Sequence, residues 1–232
     1  MRRRGSLRRA LVTFSTAAAL LAAAGCSSGK GSAGAGGGTD GVTRLAGSEV
    51  AARLDTFPLT TPTAEESAGL RRMREEELLA RDVYVALGDR WGTQIFTNIS
   101  SAEQTHTDAV KALLERHDLA DPGAAHVSGT FVDPELQRLF TSLVKQGSGS
   151  FVDALTVGAT VEELDLADLA DRATTTPDIA WVYANLSRGS RNHLRAFVRQ
   201  LGRQGADYTP THISQSEFDG IIAGDMERGP AK

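Results

Sequence analysis

Residues 75–84 read EEELLARDVY. The segment has the spacing of an amphipathic helix: Leu70, Met73, Glu77, Ala80, Tyr84 and Leu87 recur at intervals of three and four along one face. Glu77 therefore falls on the apolar stripe, while Glu75 and Glu76 are expected in solvent. An isolated ionised group in an apolar interior is very costly, so a carboxylate turned toward a helical core needs a partner.

Working outward, TAEE at 63–66 places Thr63 as N-cap with Glu66 three residues on, the pattern of a capping box. The first long helix is predicted over 63–87, with Gly88 as its stop. A second helix runs from Asn98 or Ser100 to His117, with Ile99, Glu103, His106, Val110 and Leu113 on its stripe, and DLADPG ends it. A short helix follows at 133–147, capped by Asp133 and opened by Pro134, with Leu136, Leu139, Phe140 and Leu143 buried. The third long helix is predicted over 150–173, with Phe151, Leu155, Ala159, Glu162, Leu166 and Leu169 in line. The last covers 178–203 and carries Ile179, Val182, Leu186, Ser190, His193, Phe197 and Leu201. A short helix near 216–223 lies in the tail. Strand signals are scarce, so the class is all-α: an antiparallel four-helix bundle with a short extra helix in the crossover between the second and third long helices.

The ends of the chain read differently. Five arginines in the first nine residues precede an apolar run from Ala10 to Ala24 and then Gly25-Cys26. A basic start, a short apolar segment and small residues make a secretory signal. Its end, LAAAGC, resembles a bacterial lipobox, which implies a lipid on Cys26, the single cysteine of the chain. The segment SSGKGSAGAGGGTDG that follows has the composition of a flexible tether. The organisation is thus a signal at 1–26, a tether at 27–62, a helical domain at 63–205 and a tail at 206–232, with folding starting between residues 45 and 65. Net charge is −4 over 232 residues, and removal of the basic signal makes it more acidic, which argues against nucleic acid as a partner. The expected location is the outer face of the cytoplasmic membrane, held there by lipid.

Each long-helix stripe is interrupted near its middle by groups that bind metals: Glu77, then Glu103 with His106, then Glu162, then His193. Glu103 and His106 stand three apart and share a helix face. A cation among these groups offsets the cost of burying them, and carboxylates with imidazoles suit iron, manganese or zinc better than calcium. The closed alternative is a buried salt-bridge network in which Arg81, Arg191 and Arg195 neutralise the acids. Tyr84, Tyr183, Trp91 and Trp181 read as core or helix-junction residues. His117, His126 and His212 fall at helix ends or in loops, outside the expected site.

The stretch ELLARDVY (77–84) resembles the first-helix signature of rubrerythrin-type proteins, and EQTH (103–106) resembles their second-helix pair. GATVEELDLADL (158–169) and NLSRGSRNHLRAF (185–197) are similar to the third and fourth helices of the ferritin-like DUF2202 family. The resemblance spans roughly residues 65–205. It implies a ferritin-like bundle with a di-iron carboxylate site and redox or metal-oxidising chemistry. In that pattern two helices give one Glu each and two give Glu-x-x-His. The fourth helix departs from it, with Ser190 where a Glu is expected. Asp165, one turn from Glu162, could compensate, and Glu163 is a further candidate on the same turn. A single metal, an asymmetric pair or an empty site all follow from that departure, and so does a non-catalytic envelope module as the alternative function. The chain has no rubredoxin-like cysteine pair, so electrons would come from an external donor.

Overall fold

The computed structural model describes residues 47–231. Among these, regular structure is helical: α1 (Gly47–Leu54), α2 (Ala64–Trp91), α3 (Gln94–Arg116), α4 (Pro134–Gly147), α5 (Phe151–Asp171), α6 (Pro177–Arg203) and α7 (Gln215–Ala223). An isolated bridge between Val127 and Thr130 accompanies them. The signal segment, Cys26 and residues 27–46 lie outside the described residues. No described helix is long and apolar enough to cross a membrane.

Local chemistry sets the ends of these helices. Thr63 and Glu66 form the capping box of α2, each side chain bonded to the backbone of the other. Asp133 caps α4 ahead of Pro134, and Ser150 caps α5. The first long helix runs past Gly88, the expected stop. Gly88 stays helical and lets α3 approach, since a Cβ there would meet Phe96 Cβ at 3.3 Å. The stop is Gly92, at φ 61°, a left-handed backbone that glycine adopts without strain. With so short a turn, α3 begins at Gln94, ahead of its predicted start.

Helix α2 packs on α3, α3 on α6, α6 on α5 and α5 on α2, which closes a ring. Neighbours in the ring run in opposite directions. Along α2 and α3 the pairs are Gly88 with Phe96, Arg81 with Gln104 and Glu77 with His106. Along α5 and α6 they are Gly158 with Phe197 and Asp165 with Ser190. Helix α4 lies in the crossover and packs on α2 and α5.

Helix α1 packs on α3, and Val50 and Leu54 are buried there. It falls inside 27–62, read from sequence as tether, so the folded part begins earlier than 63. The tail also joins the fold. Helix α7 packs on α6, Trp181 Nε1 donates to the Ala231 carbonyl at 2.9 Å, and Glu227 takes Arg191 at 2.6 Å and Arg195 at 3.3 Å.

The apolar core comes in two parts. One gathers Leu78, Val83, Tyr84, Leu87, Phe96, Leu155, Leu194 and Phe197. The other gathers Leu70, Met73, Val110, Leu113, Leu114, Ile179, Val182 and Leu186. Full burial of each large aliphatic side chain contributes about 2 kcal/mol. On α2, α3 and α6, the polar residues that interrupt the stripes fall between these two parts, and on α5 Glu162 lies between Val161 and Leu166 of the first.

Candidate metal centre

The two apolar parts hold a polar layer between them. Glu77 from α2, Glu103 and His106 from α3, Glu162 from α5 and His193 from α6 are each at most 2% exposed. They form two triads, Glu77–Glu103–His106 and Glu103–Glu162–His193, and the ligand atoms of each triad lie within 4.8 Å of one another. Glu103 belongs to both.

His106 Nδ1 is 2.8 Å from Glu103 Oε2 and 3.4 Å from Glu77 Oε2. His193 Nδ1 is 2.8 Å from Glu103 Oε1 and 3.5 Å from Glu162 Oε1. The two imidazoles stack with centroids 5.6 Å apart. The His193 contacts are short, yet the ring N–H is not aligned for a hydrogen bond. His193 Nδ1, His193 Nε2 and Glu77 Oε1 are buried with no hydrogen-bond partner. Buried polar atoms are ordinarily paired, so such orphans call for an explanation. A divalent cation supplies one, because a set of three carboxylates and two imidazoles fits iron, manganese or zinc.

The protonation pattern follows from burial and from Glu103. Burial raises Glu77 to about 8 and Glu162 to about 7, against the pull of His106 and His193 respectively. Burial would raise Glu103 as well, but the two imidazoles beside it outweigh burial and hold it below the ordinary carboxylate range. Burial lowers the imidazoles, and the carboxylates more than reverse this: His106 is raised well above its usual value and His193 rises to about 9. Glu103 is thus the anion on which both rings lean.

Three acids competed on α5, and their positions separate them. Glu162 enters a triad. Glu163 turns to the tail and accepts from the backbone N–H of Thr211 at 2.8 Å and of His212 at 3.0 Å. Asp165 stands outside both triads and accepts from Ser190 Oγ on α6. Burial pushes its pKa well up, and Glu77, Glu103 and Glu162 add to this. Gly189 makes room for the site, because a Cβ there would come within 2.3 Å of the His106 ring.

The cations of the closed alternative serve other acids. Arg81 binds Asp82 and Gln104, while Arg191 and Arg195 bind Glu227. His117 pairs with Asp178, and His126 with Asp82. Tyr84, read as core, also reaches the site: its hydroxyl donates to Glu162 Oε1 at 2.5 Å. Glu76, expected in solvent, is largely buried beside Arg72 at 2.6 Å, and burial raises it to about 8. The sequence reading missed Asp82, which lies off the stripe yet is 1% exposed. Its neighbour Arg81 was the available signal.

Comparisons with known proteins bear on this site only through the family. The family described as "Uncharacterized protein domain (DUF2202)" matches residues 51–225. The chain is 49% identical over 178 residues to uncharacterized protein MJ0754 of Methanocaldococcus jannaschii, covering 76% of this chain and 96% of that one. It is similar to the crystal structure of hypothetical protein MJ0754, with a TM-score of 0.73 and 50% identity over 74% of this chain and 99% of the other.

Proposed function

The chain belongs to the DUF2202 family, and from that premise and the two triads we propose that it is a ferritin-like four-helix protein whose centre holds a carboxylate-bridged pair of divalent metal ions, iron in the first instance. Glu77 and His106 would hold one ion, Glu162 and His193 the other, with Glu103 common to both triads. One observation carries the reading: five buried ligating side chains from four helices converge, and three of their polar atoms lack any hydrogen-bond partner. Manganese or zinc would suit the same donors.

Iron held there would supply redox chemistry toward dioxygen or peroxide, or would itself be the substrate of oxidation. The chain's own residues bind the ions, exclude water through the apolar parts on either side, and fix Glu162 through the Tyr84 hydroxyl. With a single cysteine, at position 26, electrons would come from an external donor. The basic start and LAAAGC support a lipid anchor on Cys26 and a place outside the cytoplasmic membrane.

Metal analysis of protein purified without chelators tests this. Near-stoichiometric iron with an oxygen-sensitive near-ultraviolet band supports the redox reading. Ser190 favours a second reading, a non-catalytic envelope module with a degenerate site. Absence of metal, together with an unchanged melting temperature on adding Fe(II), Mn(II) or Zn(II), would establish that module instead.

A further inference from the structure

Helix α3 presents a carboxylate and an imidazole three residues apart, Glu103 and His106. Helix α6 lacks the equivalent pair: three residues before His193 stands Ser190. Two ions joined by Glu103 alone have one carboxylate fewer than the di-iron pattern provides. Asp165 offers the missing acid from the adjacent helix. It lies one turn from Glu162, and Ser190 Oγ donates to its Oδ2. The carboxylate therefore rests against Ser190, in the space that a longer side chain at 190 would cross. Its charge is repelled by Glu77 of one triad and Glu162 of the other, as well as by the shared Glu103. In the triads themselves, Glu77 Oε1 and His193 Nε2 are buried and carry no hydrogen bond.

We propose that Asp165 is a second carboxylate shared by the two ions, and that Ser190 is the residue that positions it. The inference rests on the dinuclear reading above. Helix α6 then contributes room and a hydroxyl where α3 contributes charge. Gly189 leaves space for the His106 ring, and Ser190 leaves space for an acid arriving from α5.

The test titrates the metal-free full chain with Fe(II) under anaerobic conditions, and separately with Co(II), whose visible bands report ligand geometry. Wild type is expected to bind two ions per chain. Asp165→Asn keeps an acceptor for Ser190 but removes the charge, and is expected to weaken the second ion roughly tenfold or more. The double variant Asp165→Ala, Ser190→Glu returns the acid to α6 and is expected to recover the second ion. Ser190→Ala should retain both ions with altered Co(II) bands, which Ser190→Thr restores. Melting of each metal-free variant confirms that it folds. Two ions at unchanged affinity in Asp165→Asn overturn the proposal and leave the dinuclear reading standing, whereas a wild type that binds fewer than two overturns both. An unchanged Co(II) spectrum in Ser190→Ala removes the positioning role.

Discussion

The buried acid–histidine cluster around Asp82 and the one in the central layer look alike by composition and differ in their wiring. Asp82 on α2 is 1% exposed and fully engaged. Its Oδ1 accepts from Arg81 at 2.8 Å, and its Oδ2 accepts from the Gly129 N–H at 2.7 Å and contacts His126 Nε2 at 2.8 Å. It pins the connection between α3 and α4 to the face of α2. In the central layer, by contrast, Glu77 and His193 are as deeply buried and leave atoms with no hydrogen-bond partner. Burial of an acid beside a histidine is therefore not what marks a metal site. What sets the central layer apart is the convergence of five such groups from four helices together with atoms that meet no hydrogen-bond partner, because a closed network satisfies itself and an open one requires something from outside.

The comparison can be broken by mutation. The largest effect is expected from Asp82→Ala, which strands Arg81, His126 and a backbone N–H at once. It should cost about 3–5 kcal/mol in urea denaturation, equally with and without added metal. A loss confined to the metal-loaded protein would make Asp82 part of the centre. Glu103→Ala should behave in the opposite way. It should cost about 3 kcal/mol more in protein saturated with metal than in metal-free protein, the scale of stabilisation by an ion at about a hundred times its dissociation constant. Equal losses in the two forms would turn the central layer into a closed network like that of Asp82. Next comes Gly189→Ala, whose added methyl collides with His106. Overpacking of this kind costs about 1–3 kcal/mol, and metal titration should show the triad of His106 losing its ion first.

The smallest and most diagnostic contrast is with pH. Folded-state values of about 8 for Glu77, about 7 for Glu162 and about 9 for His193 all lie above the ordinary ones, as does that of His106. These groups hold protons in the fold that the unfolded chain has released, so they favour the metal-free fold at low pH and lose that contribution as pH rises through these values. Glu103, held low, acts oppositely, and its contribution disappears only in acid. Metal has to displace the same protons, so its own contribution grows as pH rises. The gap in melting temperature between loaded and metal-free protein should widen from about pH 5 to about pH 8. A constant gap would mean that the ion binds elsewhere.

Much of the central layer could be read in advance, because helical periodicity places a side chain on a face and depth follows from its apolar neighbours. Glu77, Glu103, His106, Glu162 and His193 each interrupt an apolar stripe at the same level, and periodicity suffices to predict that they meet. Periodicity does not say which of several adjacent acids turns inward. Glu163 is as buried as Glu162 but is taken by the tail, through the backbone of Thr211 and His212, and no stripe encodes that long-range contact. Glu76 was misplaced for a related reason: Arg72 and Arg172 cover it, and cover by flexible cations has no period. Helix α1 has only eight residues, too few to display a repeat after a Gly/Ser-rich run. Asp82 stayed hidden because its partners, His126 and the Gly129 N–H, come from a loop.

On the proposed dinuclear reading, Glu103 would set how the two ions load. Its two oxygens answer to different histidines, Oε2 to His106 and Oε1 to His193. An ion on one side would change the charge and orientation that the carboxylate offers on the other, so the two proposed positions would not load independently. Thermodynamic reciprocity then holds whichever ion arrives first: the factor by which the first alters the affinity of the second is the factor by which the second alters the first. A binding isotherm for this chain should depart from that of two equal, independent sites, and one carboxylate side chain suffices to make it do so.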